Sequence, residues 1–268
     1  MLEESSGVSL DKWEKHLEKY LSFLKELTET REGSLRFGRG VVAASDVAGQ
    51  FFCEKKVEMQ YLYGEIETEA KAVGTEAHGK LLEDAVHVRR EELWQRIYGR
   101  DPILALEALF FAKFNDVVVA GKPDSILFRN GLPLVVLEHK FSKKLVAYET
   151  HHVQARTYGL LLNNIGFDTK LLFYAIVVAD PVARSSKSLK RKVMEAINKN
   201  GSKEGILELD NAKVFLCKYN HGDAEKDLDW AVQFWKKERE AIPTQNPNKC
   251  KTCEYCQKCG SLACSQNG

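Results

Sequence analysis

Glu138 and Lys140 sit two residues apart at the end of the apolar run Leu134 to Leu137. In an extended strand that spacing puts both side chains on one face, with His139 pointing the other way. Asp124 closes Gly121-Lys122-Pro123-Asp124 at the start of the preceding strand-like run, and Asn130-Gly131 predicts a hairpin that returns Glu138 beside it. Two carboxylates next to an ammonium group are the parts of metal-assisted phosphodiester hydrolysis. Hard oxygens hold Mg²⁺ or Mn²⁺, the cation polarises phosphate and acidifies water, and the lysine orients the nucleophile or stabilises charge. An Asp followed by Glu-x-Lys is by itself a weak pattern, which a solvated edge with a surface ion pair also produces.

Neighbouring residues add to it. His78, in Gly74-Thr75-Glu76-Ala77-His78, falls in the first turn of an expected helix, where an imidazole can ligate a metal, although a lone histidine is more often structural. Gln154 and Tyr158 lie four apart on one helix face, within reach of a phosphate or base edge. Seven cysteines in the chain point to metal or cluster ligation ahead of a disulfide framework. Five of them, Cys250, Cys253, Cys256, Cys259 and Cys264, crowd the C-terminus, and Cys53 lies far upstream. One thiolate from Cys53 with three from the tail makes a four-cysteine site that ties the two ends together; spacing alone leaves zinc and iron–sulfur open. Cys217, in an apolar strand-like setting, reads as a buried small hydrophobe.

In order and separation, His78, Asp124, Glu138-His139-Lys140, Gln154 and Tyr158 resemble the RecB-like nucleases of the PD-(D/E)xK class. The resemblance implies a metal held by His78, Asp124, Glu138 and the backbone carbonyl of His139, with Lys140 activating water and Gln154 and Tyr158 supporting substrate. A distant N-terminal cysteine followed by Cys250, Cys253 and Cys259 is similar to the iron–sulfur members, above all the CRISPR-associated Cas-four exonucleases. That likeness implies a 4Fe-4S cluster on Cys53, Cys250, Cys253 and Cys259, with Cys256 as the alternative third tail ligand. It also implies trimming of single-stranded DNA from an end during CRISPR spacer acquisition, alongside integrase proteins. A nuclease of repair or recombination is the second enzyme reading, and a non-catalytic DNA-binding scaffold with a zinc or iron–sulfur module the third. Cys256, Cys264 and Glu54-Lys55-Lys56 after Cys53 depart from the family pattern and bear on the subfamily.

The elements that must position these residues are readable in outline. Helical periodicity covers residues 9–28, 43–63, 149–163 and 224–242, and a further helix is expected from Gly74 toward Gly99. Strand-like runs occupy 103–114, 116–120, 125–129, 134–140, 170–178 and 205–218, the first four as a meander. The order predicts an α/β fold, one central mixed sheet flanked by helices. Residues 1–35 form an amphipathic extension, 36–242 the nuclease domain, and 243–268 a cysteine-rich tail too poor in large apolar residues to hold itself by a core.

With net charge +1, a nucleic-acid partner must be met by a local patch. Arg184 to Lys203 is the most basic stretch and includes Arg191, while Lys143, Lys144 and Arg156 lie nearer the carboxylates. No apolar run is long enough to span a bilayer, and the acidic start Met1-Leu2-Glu3-Glu4 argues against a signal peptide, so a cytoplasmic protein without membrane contact is expected.

Overall fold

The computed structural model describes residues 7–29, 33–67, 86–181, 187–201 and 203–260. Its largest element is a six-stranded mixed sheet of β2 (Ile103–Leu106), β5 (Ser125–Arg129), β6 (Leu132–Phe141), β7 (Phe173–Ala179), β9 (Ala212–Lys218) and β8 (Gly205–Leu209), in the order β2-β5-β6-β7-β9-β8. β6 and β7 run parallel, joined by the crossover helix α4 (Glu149–Asn164), and the other pairs are antiparallel. β1 (Val41–Ala43), β4 (Val117–Gly121) and β3 (Phe110–Phe114) form a separate three-stranded sheet. The architecture is α/β, as expected, but with two sheets where the sequence suggested one.

The run 103–114 is two strands. Glu107, with φ 46°, turns the chain so that β2 joins one sheet and β3 the other. The chain crosses back between β4 and β5, and Asp124 sits on that crossing. The chain therefore passes from the six-stranded sheet (β2) to the three-stranded one (β3, β4) and back (β5, β6), and these runs do not form a simple meander.

Both faces of the six-stranded sheet are covered, which accounts for the unbroken apolar character of β6 and β7. On one face Val135, Leu137, Ala175, Val177 and Val214 meet Leu189, Val193 and Ile197 of α5 (Lys187–Asn200). On the other, Val136, Ile176 and Val178 join the larger core with α4 and with α6 (His221–Trp235). Glu138 and Lys140 continue the register of Val136 and so face α4.

The N-terminal helix α1 (Gly7–Glu29) buries Leu17 and Tyr20 in that larger core. α2 (Ala44–Tyr63) packs on α4. Of the helix expected from Gly74 toward Gly99, residues 74–85 lie outside the described residues, 86–89 are non-helical, and α3 (Arg90–Ile97) follows. The helix expected over 224–242 ends at Trp235 as α6, where Lys237 adopts φ 64°.

Candidate active site

The β5–β6 hairpin turns at Asn130 (φ 51°) and Gly131 (φ 77°), the left-handed pair that an Asn-Gly loop supplies at low cost. Its register pairs Ser125 with Leu137, and so carries Asp124 to Glu138 and His139. The carboxylate of Asp124, 15% exposed, accepts the backbone N–H of His139 at 2.6 Å and lies 3.6 Å from that residue's Nδ1. Glu138 is 2% exposed and accepts Lys140 Nζ at 2.7 Å. Lys140 Nζ also donates to Gln154 Oε1 at 3.1 Å, and Gln154 Nε2 donates to the Tyr158 hydroxyl at 2.7 Å. Asp124, Glu138, Lys140, Gln154 and Tyr158 thus form one continuous constellation at the end of β6 under α4.

Electrostatics follow from the burial. Burial opposes the charge on Lys140, but the Glu138 carboxylate beside it and the Asp124 charge behind outweigh that, raising its pKa above the ordinary lysine value. Burial, then the Glu138 charge, pushes the Tyr158 phenol well above its usual range, so it acts as a neutral O–H. α4 approaches the crossing strand closely: a Cβ on Gly121 would come within 2.6 Å of Leu161 Cδ1 and 2.8 Å of the Tyr158 ring. Glycine is what lets the bend before Asp124 pass beneath Tyr158.

The other site residues fare differently. His78 lies within residues 68–85, outside the described residues. Arg156 is tied into the fold: its Nε donates to Asp227 at 2.7 Å and its guanidinium also pairs with Glu149, so its charge is paired within the chain. Lys143 is exposed on the loop after β6. Arg191 is exposed on α5, 3.5 Å from Glu195 of the same helix.

Asp124, Glu138 and the His139 carbonyl are hard oxygen donors, the chemistry that Mg²⁺ or Mn²⁺ requires. Among the described residues no group of three or more His, Cys, Asp or Glu side chains closes around a metal position. The donors present suit such a cation as two carboxylates and a carbonyl.

The cysteine tail folds back on α2. α2 breaks its helical path at Cys53 (φ −172°, ψ 116°), leaving the carbonyls of Phe51 and Phe52 at the end of a helical segment. Lys249, from α7 (Pro247–Lys251), donates its ammonium to both carbonyls at 3.1 Å, as a basic side chain does at a helix C-terminus. Thr244 N–H donates to Cys53 Sγ at 3.3 Å, Lys56 pairs with Glu254 at 3.0 Å, and the Tyr255 hydroxyl donates to Gly64 O at 2.6 Å. Cys250 is buried on α7, and Cys259 ends α8 (Cys256–Cys259). Burial raises the Cys253 thiol's pKa, and Cys53 is among the charges it feels across this interface. Cys53 and Cys253 thus lie at one interface between α2 and the tail, although among the described residues no three thiols gather as a metal-holding group. Cys264 lies outside the described residues, and Cys217 is half-buried on β9.

One arrangement has no signal in local sequence. The Glu54 carboxylate is fully buried (0% exposed) and accepts from Gln50 Nε2 at 2.7 Å, from both terminal nitrogens of Arg239 and from Ile242 N–H at 2.9 Å. Trp235 Nε1 donates to Gln50 Oε1 at 2.8 Å. This network fastens the segment after α6 to α2 immediately beside Cys53.

The family model of the PD-(D/E)XK nuclease superfamily matches residues 43–260, which takes in both the carboxylate site and the cysteine tail. Mitochondrial exonuclease V from Candida albicans, strains WO-1 and SC5314 / ATCC MYA-2876, is 38% identical over 52 residues. That stretch is 19% of this chain and 8% of the relatives' length. A solved structure described as the crystal structure of SSO0001 covers 96% of this chain and 97% of its own, at 15% identity and a TM-score of 0.44. On the match over 43–260, the chain belongs to the PD-(D/E)XK nuclease superfamily.

Proposed function

We propose that this chain is a metal-dependent DNA exonuclease acting on single-stranded ends. The observation that carries the reading is the convergence of Asp124, Glu138 and Lys140, with Lys140 held by both Glu138 and Gln154. Asp124, Glu138 and the His139 carbonyl would hold Mg²⁺ or Mn²⁺, with His78 as a further ligand. When bound, the cation supplies Lewis-acid polarisation of the scissile phosphate and a more acidic water. Lys140 keeps its proton, and its ammonium orients the attacking oxygen and stabilises the charge that builds on the phosphate. Gln154 fixes that ammonium, and the neutral Tyr158 hydroxyl fixes Gln154, so the side chains are set before substrate arrives.

Cys53, Cys250, Cys253 and Cys259 ligate an iron–sulfur cluster that closes the tail on α2, with Cys256 as the alternative tail ligand. The thiol-only donor set and the N–H donated to Cys53 Sγ support this assignment. The 52-residue likeness to exonuclease V supports end-directed cleavage. A place in CRISPR spacer acquisition beside integrase proteins rests on the spacing of the cysteines, and a repair nuclease is the alternative role.

The test is cleavage of end-labelled and of circular single-stranded DNA by anaerobically purified protein with Mn²⁺, Mg²⁺ or EDTA. Cleavage is expected only with metal and only on the linear substrate. Glu138→Ala abolishes it while the protein still folds and binds DNA. Undiminished cleavage by that variant would remove Glu138 from the mechanism.

A further inference from the structure

A stripe at positions 148, 151, 154 and 158 runs from the residue that caps α4 along one face of that helix, at three- and four-residue spacing. Its inner end is the constellation already described: Tyr158 is buried, and Gln154 holds Lys140. One turn outward His151 remains close enough to Lys140 for that charge, after burial, to help depress the imidazole's pKa to about 4. At the outer end Tyr148 is 50% exposed. The stripe therefore runs from the catalytic carboxylates to solvent and ends on an aromatic ring.

Tyr148 is held in place. Its N–H donates to His151 Nδ1 at 3.3 Å, and the two rings meet edge to face at 5.5 Å. The neutral imidazole is the form that accepts this bond. Tyr148 also closes the Ser142 to Tyr148 loop, which carries exposed Lys143 and Lys144 and the exposed Val146. An exposed apolar ring two residues from another exposed apolar side chain, with two ammonium groups on the same short loop, has the composition of a single-strand contact: a face for a base and charge for its backbone.

Building on the exonuclease reading, we infer that Tyr148 is a stacking platform for a nucleobase of single-stranded DNA entering the site, with Lys143 and Lys144 neutralising the adjoining phosphates and His151 acting as a positioning residue for the ring. A base held there precedes the scissile phosphate by the length of the stripe, so the contact selects for strands whose bases are unpaired. A duplex end presents stacked, paired bases and gains nothing from the ring.

Binding measured without catalysis tests this. The full-length protein is titrated in EDTA against fluorescein-labelled oligothymidylate, the same oligomer made abasic throughout, and a blunt duplex. Tyr148→Ala is expected to weaken oligothymidylate binding by about 5- to 100-fold, the effect of losing one stacked base. Tyr148→Phe stays near wild type, because stacking needs no hydroxyl, and binding of the abasic oligomer is the same for all three proteins. Equal oligothymidylate affinity for wild type and Tyr148→Ala would overturn the inference while leaving the nuclease reading intact. An equal loss on the abasic strand would also overturn it, since that marks a structural role. Failure of the wild type to bind any of the three overturns both readings together.

Discussion

Replacing Glu54 by Gln perturbs the fold at its most heavily committed buried carboxylate. Glu54 Oε1 accepts from Gln50 Nε2 and Arg239, and Oε2 accepts from Arg239 and Ile242 N–H. The amide keeps one acceptor oxygen but presents an N–H₂ group where two donors point, and it leaves the guanidinium without its counter-charge. Breaking one partner of a buried ion pair costs about 3–5 kcal/mol. The Arg239 side chain is 19% exposed and gains some hydration, which favours the low end, about 3 kcal/mol. At roughly 2–4 °C per kcal/mol for a domain of this size, the melting temperature falls by about 6–12 °C. Thermal unfolding followed by circular dichroism at neutral pH reads this directly. The double variant Glu54→Leu with Arg239→Met separates charge loss from packing and should recover much of the stability, because removing both partners leaves no orphaned charge. A single-variant loss under about 1 kcal/mol, or a double variant no better than the single, would refute the reasoning.

His16 makes stability pH-dependent. Burial chiefly lowers its pKa below the ordinary 6.5, against the bond between Nε2 and the Ile165 carbonyl, which raises it. The folded state then prefers neutral imidazole, so the contribution is complete above pH 6.5 and is lost as pH falls below it. Melting curves between pH 8 and pH 5 should show His16→Gln losing less stability on acidification than wild type, and parallel curves would rule the histidine out. Gly121→Ala forces a Cβ against Leu161 and the Tyr158 ring. It should cost about 1–3 kcal/mol and reduce cleavage beyond what the stability loss explains, measured on folded protein well below its melting temperature. Cys53→Ser and Cys250→Ser should strip iron and visible absorbance from anaerobically purified protein, while Cys217→Ser keeps both. A colourless wild type carrying zinc would reassign the metal.

The short-range part of the design is legible because local chemistry decides it. Glu138-His139-Lys140 on an apolar strand and Asn130-Gly131 before it specify a hairpin, and the hairpin brings Asp124 beside that strand's end. α1, α2 and α4 follow from apolar periodicity alone. The errors arise where tertiary context overrides pattern. Ile103 to Phe114 contains neither Gly nor Pro, so nothing local announces that Glu107 turns the chain from one sheet to the other. α6 stops at Trp235 although the sequence beyond it remains helix-compatible, because Arg239 and Ile242 are drawn to Glu54. Glu54 and Arg239 are 185 residues apart, and Lys249 is 198 from Phe51, separations at which no window of sequence carries a signal. Arg156, basic and near the site in sequence, is paired with Glu149 and Asp227, a tie to the distant Asp227 that no local pattern announces.

Asp124 stands where the chain leaves one sheet for the other. Order of synthesis gives that placement a meaning. The β5–β6 hairpin emerges from the ribosome early, yet β6 has no parallel neighbour until residues 173–179 arrive, and Cys53 waits for its Thr244 contact until the tail is made. Until α4 is made and docked, Lys140 lacks the Gln154 oxygen that holds its ammonium over the carboxylates.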